Sequence, residues 1–371
     1  MKKKVMHIVQ SPGGVERYIL MLLKNMDLSK YDNILVCSFD YDEEKFKDIV
    51  IAFEQVDMVR EISFRKDISS IINVRRIIKK YNPDVVYMHS SKAGAIGRVA
   101  NIGLKNKSIY NPHGWAFNME CSKKKKLIYI CIEKALAYFC DNIVAISEYE
   151  KESAIENRIC DINKIQVIFN GIDIKEYERS SINKNQFKIN NRIPKESLVI
   201  GMVGRISKQK SPDIFIKAAL KIKQQVPNAF FVIVGDGEER NYIEDLIKEV
   251  GLQESVLITG WVKNSYEYIK SFDVAMLLSR WEGFGLAIVE YMICEVPVIA
   301  TDVDAIPNLI TNNRNGVLVK VDDVNETFDA CMKILNNNNF KKSIVKNAKN
   351  IVLEKFNIER VVYQHNQLFE S

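Results

Sequence analysis

No stretch of about 18 consecutive apolar residues occurs anywhere in the chain, so no helix is predicted to span a membrane. The basic start, Lys2-Lys3-Lys4, is followed by a short interrupted apolar run that closes on Pro12-Gly13-Gly14. That pattern reads as a first β-strand and not a signal peptide. Cysteine is sparse and odd in number, at 7, with no C-x-x-C pair. A disulfide framework is therefore excluded, and Cys37, Cys121, Cys131, Cys140, Cys160, Cys294 and Cys331 read as mostly core thiols of a reduced, cytoplasmic chain. Only 4 histidines are present, scattered at His7, His89, His113 and His365, which argues against a zinc site. The G-x-x-x-x-G-K-[ST] phosphate loop is missing, and Gly235-Asp236-Gly237 fails the dinucleotide fingerprint because Arg240 stands at its third glycine.

What is present is an ordinary globular composition, 47% hydrophobic and 27% charged, over 371 residues. That length fits about two domains of roughly 150–200 residues each. The net charge of +6 is uneven: positions 1–185 hold 30 Lys and Arg against 24 Asp and Glu, and the remainder is balanced. Different partners for the two halves follow from that asymmetry, and nucleic acid is a poor candidate because the excess is modest and no recognition module appears. Short β-rich runs alternate with helical patterns throughout, the signature of parallel sheets covered by helices. Six strands are read in each half, separated by a polar stretch from Asn170 to about Ser197 that reads as a linker. The predicted architecture is α/β, two doubly wound, Rossmann-like domains facing each other across a cleft, with boundaries at 1–185 and 186–355 and a last helix, 356–371, returning to the first. Ligands of such sheets bind beyond the carboxyl ends of the strands.

The loops that follow strands carry the candidate chemistry. Gly204-Arg205 and Lys210, just before Pro212 at a helix start, place two cations where a diphosphate would gain from both charge and helix amides. Trp281-Glu282-Gly283-Phe284-Gly285-Leu286 leads into a helix bearing Glu290. Its glycines expose backbone N–H groups at the helix entry, and Glu282, just before the turn, together with Glu290, two turns up the same helix face, suits the vicinal hydroxyls of a sugar and a ribose. Gly13-Gly14 lets backbone approach a ligand, and His113 lies on an exposed-looking Pro-His-Gly-Trp loop. The segment His89-Ser-Ser-Lys-Ala-Gly-Ala-Ile-Gly-Arg98 either lines an acceptor pocket or permits close helix packing.

Taken together these residues resemble the retaining GT-B glycosyltransferases of family 4, over nearly the whole chain. The E-x7-E motif Glu282…Glu290, followed by Pro297-Val-Ile-Ala-Thr-Asp302, is the most specific element, reinforced by Gly204-Arg205…Lys210 and by Asn170-Gly-Ile-Asp173 at the domain joint. The resemblance implies that Arg205 and Lys210 neutralise the donor diphosphate and that Glu290 binds the ribose. It further implies that Glu282 and the amides of Gly283, Phe284, Gly285 and Leu286 hold the sugar and phosphate. Val262, in the Gly260-Trp261-Val262 loop, would meet the base, His113 the donor sugar, and Gly14 the diphosphate. His89-Ser-Ser-Lys and Pro-His-Gly-Trp resemble the branch that builds bacterial capsular or surface polysaccharide. Five residues depart from the pattern: Ser211, Asp304-Ala305 and Glu295 replace usual glycines, and Asn308 replaces a Glu.

The activity implied is transfer of a sugar from a nucleoside diphosphate sugar, a UDP-sugar first of all, to a glycan or lipid-linked acceptor hydroxyl with retention at the anomeric carbon. No cofactor or metal is expected, since Arg205, Lys210 and helix amides can stabilise the leaving diphosphate. Lys123, Lys124, Lys125 and Lys126 open a helix with an apolar body, which suits peripheral contact with an anionic membrane at the cytoplasmic face. Alternatives are a nucleotide-sugar epimerase or hydrolase on the same scaffold, and a non-catalytic nucleotide-sugar-binding subunit.

Overall fold

In the computed structural model, which describes residues 2–10, 12–59, 63–180 and 182–371, the apolar runs form two sheets. The first contains β1 (Lys3–Ile8), β2 (Tyr31–Cys37), β3 (Ala52–Gln55), β4 (Val85–His89), β5 (Lys107–Asn111), β6 (Asn142–Ala145) and β7 (Ile165–Val167). The second contains β8 (Leu198–Val203), β9 (Ala229–Val234), β10 (Val256–Ile258), β11 (Val274–Leu277), β12 (Val298–Thr301) and β13 (Val317–Val319). Their orders are β3-β2-β1-β4-β5-β6-β7 and β10-β9-β8-β11-β12-β13. Adjacent strands pair in parallel, so strands such as Phe230–Val234 are buried on both faces and read as continuous apolar runs. Each order reverses once, between β1 and β4 and between β8 and β11, and the crevices at those switch points are where doubly wound sheets hold ligands.

Two compact units result: 1–170 with Ile358–Ser371, and Gly171–Asn357. The first boundary thus falls at Asn170, not at 185. Ile172 N donates to Phe356 O (2.8 Å) and Ile172 bridges Asn357, which ties the chain after Gly171 to the second unit. The polar stretch read as a linker holds two short helices, Ile174–Arg179 and Lys184–Asn190. Side chains of Asp173 and Asn183 cap them, and Phe187 packs edge-on against Tyr268 (5.0 Å between ring centres). β3 has no counterpart in the sequence reading because it is a short edge strand carrying Glu54, which Lys80 and Tyr81 engage at 2.7 and 2.6 Å.

The first unit's last helix, Ile358–Glu370, buries Val361, Leu368 and Phe369 in the core around β1 and β2. Lys3 and Lys107 donate from Nζ to its terminal carbonyls of Phe369 and Leu368, both at 2.6 Å, neutralising the negative helix end. Glycines of the helix Ser91–Ala100 decide between the two readings of that segment. A Cβ at Gly94 would fall 2.2 Å from the Tyr110 ring and one at Gly97 2.5 Å from Met88, so the small residues permit close packing on the sheet. Cysteines 37, 140, 294 and 331 are buried, whereas Cys131 is exposed.

Candidate active site

In the second unit, the loops at the ends of β8, β9, β11 and β12 are bonded into one assembly. Gly204 N donates to Val234 O (3.0 Å), Ile206 N to Asp236 O (3.0 Å) and Glu239 N to Ile206 O (3.1 Å). A Cβ on Gly235, whose φ is 144°, would lie 2.0 Å from Gly204 O. Gly235-Asp236-Gly237 is therefore the backing that fixes the Gly204-Arg205 loop, which explains its glycines without a bound nucleotide. The same turn bridges Gly260, bringing the Gly260-Trp261-Val262 loop alongside, with Trp261 70% exposed.

Arg205 is half-exposed, and its Nε donates to Glu238 Oε2 at 2.8 Å. Lys210 ends a short turn before the helix Pro212–Gln225, and its Nζ forms an ion pair with Glu282 Oε2, to which Ser279 Oγ also donates (3.1 Å). Both partners are largely buried. Glu282 N donates to Asp304 Oδ2 (2.9 Å) and Ala305 N to Glu282 O (3.3 Å), so the loop after β12 grips the loop after β11. Gly285 (φ 91°) turns the chain into the helix Leu286–Ile293, whose start has no side-chain cap. That geometry leaves backbone amides directed at the loop, the arrangement that binds anions. Phe284 contributes backbone alone, since its ring is buried edge-on against Phe356 (5.8 Å).

Only Glu290 of the two glutamates lies on the helix, in its second turn and 2% exposed, so the pair does not share one helix face as the spacing implied. Gly285 unwinds the chain between them. Beside Glu290, Tyr291 accepts from Val203 N through its hydroxyl (2.7 Å) and so holds the end of β8. Arg280 binds Asp213, Asp322 (2.8 Å) and Lys208 O (2.8 Å), while Gln209 Nε2 donates to Trp281 O (2.9 Å). Sequence reasoning missed Tyr291 and Arg280, and it noted Asp304 only as a departure without its bond to Glu282, because their partners lie in loops joined only by the fold. Three of the departures from the family pattern, Ser211, Glu295 and Asp304, have φ of 52°, 58° and 49°, the left-handed region that favours glycine.

The first unit presents different chemistry at its switch point. A Cβ on Gly13 or Gly14, the latter opening the helix Gly14–Asn25, would meet nothing within 4 Å. His113 follows β5 with φ 51°, its N donating to Asn111 Oδ1 (2.9 Å). The imidazole Nε2 lies 3.0 Å from His89 Nδ1, and His89 Nε2 lies 3.3 Å from His7 Nδ1. His365 Nδ1 donates to Val361 O (2.7 Å), and its Nε2 lies 3.0 Å from the hydroxyls of both Tyr18 and Tyr87. The four histidines scattered in sequence thus form one cluster, with His7, His89 and His365 fully buried and His113 half-buried at its edge. Burial pushes His7 and His113 down to about 3 and His365 to about 4, so all stand neutral at ordinary pH. Behind His113, Glu150 accepts from Trp115 N (3.1 Å) and receives Trp115 Nε1 on its carbonyl (2.9 Å). Burial raises this carboxyl to about 8. Among the described residues no group of three or more His, Cys, Asp or Glu is arranged to hold a metal ion.

Two Rossmann-like parallel sheets, one with a Lys–Glu pair, a second glutamate and an uncapped helix start at its strand ends, define a GT-B glycosyltransferase. Comparison with known proteins agrees. The family model described as Glycosyltransferase Family 4 matches residues 12–176, and that described as Glycosyl transferases group 1 matches 183–351. An Escherichia coli protein named UDP-Gal:alpha-D-GlcNAc-diphosphoundecaprenol alpha-1,3-galactosyltransferase is 30% identical, covering 99% of this chain and 97% of that protein. The Staphylococcus aureus capsular polysaccharide biosynthesis glycosyltransferase CapM is 28% identical, over 94% of this chain and 90% of its own. HepE from Anabaena, crystallised with UDP and glucose, has a TM-score of 0.87 at 21% identity, covering 99% of each chain. The chain belongs to the family 4 glycosyltransferases.

Proposed function

We propose that this protein moves a sugar from a UDP-sugar to an acceptor hydroxyl of a lipid-linked glycan in capsule or surface polysaccharide synthesis, with retention at the anomeric carbon. The observation that carries this reading is the meeting of Lys210 with Glu282 beside the uncapped Leu286–Ile293 helix start, with Arg205 on the adjoining strand end. Arg205 and Lys210 stabilise charge on the leaving diphosphate, with the amides of Gly283, Phe284, Gly285 and Leu286 beside them, a preorganised arrangement that needs no reorientation during reaction. Gly204 lets the strand end come close to the phosphates. Glu290 accepts from the ribose hydroxyls and Glu282 from the sugar, while Val262 lies against the base. His113 is the first unit's contribution to the transferred sugar, and Gly14 lets its helix start approach the diphosphate. Among the described residues no side chain of the charged site is taken as a covalent nucleophile, and the diphosphate itself takes the acceptor proton on the face it leaves. In this scheme the cations supply the charge a divalent metal would otherwise bring. The lipid-linked acceptor is supported by the E. coli relative's name.

Peripheral attachment at the cytoplasmic membrane face is part of the same proposal. No described helix is long and apolar enough to cross a membrane. The helix Lys123–Ala137 exposes Lys123, Lys124, Lys125 and Lys126, and beyond them Leu127 (62%) and Ile128 (55%). Exposed apolar side chains beside four cations match an anionic bilayer, at about 1 kcal/mol per basic residue near it. Incubation of the full chain with UDP-sugars and diphosphoundecaprenol-linked N-acetylglucosamine, with NMR of the product, tests the reaction. The proposal predicts an α-linked product from an α-linked donor. Donor consumed equally without acceptor, or an inverted product, contradicts it.

A further inference from the structure

All four histidines meet in the first unit, yet the reaction proposed above uses only His113. The helix Lys123–Ala137 is already taken up in the membrane proposal, and the buried Arg98–Glu133 pair (2.8 Å) joins two helices without an open face. The imidazole row His113–His89–His7 is different, because its outer member belongs to the candidate site and its inner members do not.

His89 is the last residue of β4, fully buried, and both its ring nitrogens face other imidazoles: Nδ1 lies 3.0 Å from His113 Nε2, and Nε2 lies 3.3 Å from His7 Nδ1. Tyr87 packs against it at 4.1 Å between ring centres, and Tyr18 packs edge-on against His113 at 4.8 Å. An apolar ring would fill this space without the cost of desolvating an imidazole. What the imidazole adds is a hydrogen bond to the inner nitrogen of His113. Burial holds the three rings neutral, and three neutral imidazoles can fill both links with one proton each only when the protons point the same way along the row. His113 Nε2 is committed to the interior, and Nδ1 is its one remaining polar ring atom.

We infer that His89 is a positioning residue for the transfer reaction: it fixes the tautomer and ring orientation of His113, and His7 fixes His89 in turn. The nitrogen engaged by one partner determines which the ring presents to the other. Strand order explains why these residues meet, since β1 lies beside β4 and β4 beside β5. This inference rests on His113 being the sugar-facing group, but its first test does not depend on activity.

The full chain labelled with ¹⁵N in its histidines gives four imidazole spin systems, one for each of the 4 histidines. At neutral pH, His113 is expected as a single neutral tautomer, its two nitrogen shifts far apart. His89→Phe fills the space without a donor or acceptor and should draw those shifts toward a common average. His89→Asn places an amide near the former Nδ1 and should restore their separation. In turnover, the Phe variant should lose about 10- to 100-fold in kcat, with donor KM within about threefold and the Asn variant recovering most of kcat. An averaged or protonated His113 in the wild-type chain overturns the inference, even if no sugar transfer is ever detected. So does unchanged tautomerism or unchanged kcat in the Phe variant, or an Asn variant that folds yet is as slow as Phe.

Discussion

The two units share a strand order and differ in what they put at the point where it reverses. At the end of β8 and β11 the second unit sets charges: Arg205, Lys210, Glu282 and Glu290, tied by Asp304 and Arg280. At the ends of β1, β4 and β5 the first unit sets neutral imidazoles and phenols, with His89, Tyr18 and Tyr87 buried and His113 half-buried beside them. One scaffold thus supports opposite electrostatics, and strand topology alone says where ligands bind but not what they are. The charge asymmetry along the sequence runs the other way, the positive excess lying in the half whose site is neutral. Part of that excess belongs to the exposed Lys123–Lys126 cluster.

Glycines offer the most forceful way to break the comparison. Gly235→Ala drives a Cβ to within 2.0 Å of the Gly204 carbonyl, a backbone atom that cannot yield, at a φ of 144°. A loss of about 3 kcal/mol in urea unfolding is expected. Gly14→Ala in the first unit meets nothing within 4 Å, so stability should hold within about 0.5 kcal/mol while donor KM rises. Unchanged KM there would show that no ligand approaches Gly14. Lys210→Ala should lower kcat about 100-fold, near 2.7 kcal/mol of transition-state stabilisation. A near-normal rate would remove the second unit's charge from the chemistry.

Acid and base should also separate the groups. Glu150, raised by burial from 4.5 to about 8, keeps its proton in the folded chain while the unfolded chain loses it. Its contribution to stability is therefore full below 4.5 and lost as pH rises toward 8, and Glu150→Gln should flatten that part of a Tm-against-pH curve. The buried histidines act in the opposite sense. His7, lowered from 6.5 to about 3, favours folding above 6.5 and loses that contribution as pH falls toward 3. One substitution should instead stabilise: Ser211→Gly relieves a left-handed residue (φ 52°) and should stabilise the second unit by about 1 kcal/mol.

Much of the charged site was legible before the fold was seen, since Lys210, Glu282, Glu290 and the helix entry at Gly285 lie in local motifs that follow apolar strands. What joins them was not. Tyr291 reaches Val203 across 88 residues and Gln209 reaches Trp281 across 72. Such contacts leave no periodic trace. The histidine cluster is an intermediate case: His7, His89 and His113 are separated in sequence, but each lies on or just after β1, β4 or β5, which the doubly wound order makes neighbours. Applied to post-strand residues, that order brings them together. His365 had no such signal, because it arrives on the last helix. The edge strand β3 and the capped helices after Asp173 escaped notice because polar residues dominate them.

The central claim is that the side chains that recognise the nucleotide are the second unit's charged groups and not the first unit's imidazoles. Calorimetric titration of the full chain with UDP alone tests it directly, comparing Arg205→Ala and Glu290→Ala with His113→Ala. Loss of about 10-fold or more in affinity for the first two, with His113→Ala within about twofold, is the predicted result. Undiminished UDP binding by Glu290→Ala and Arg205→Ala, or an equal loss in His113→Ala, would contradict it.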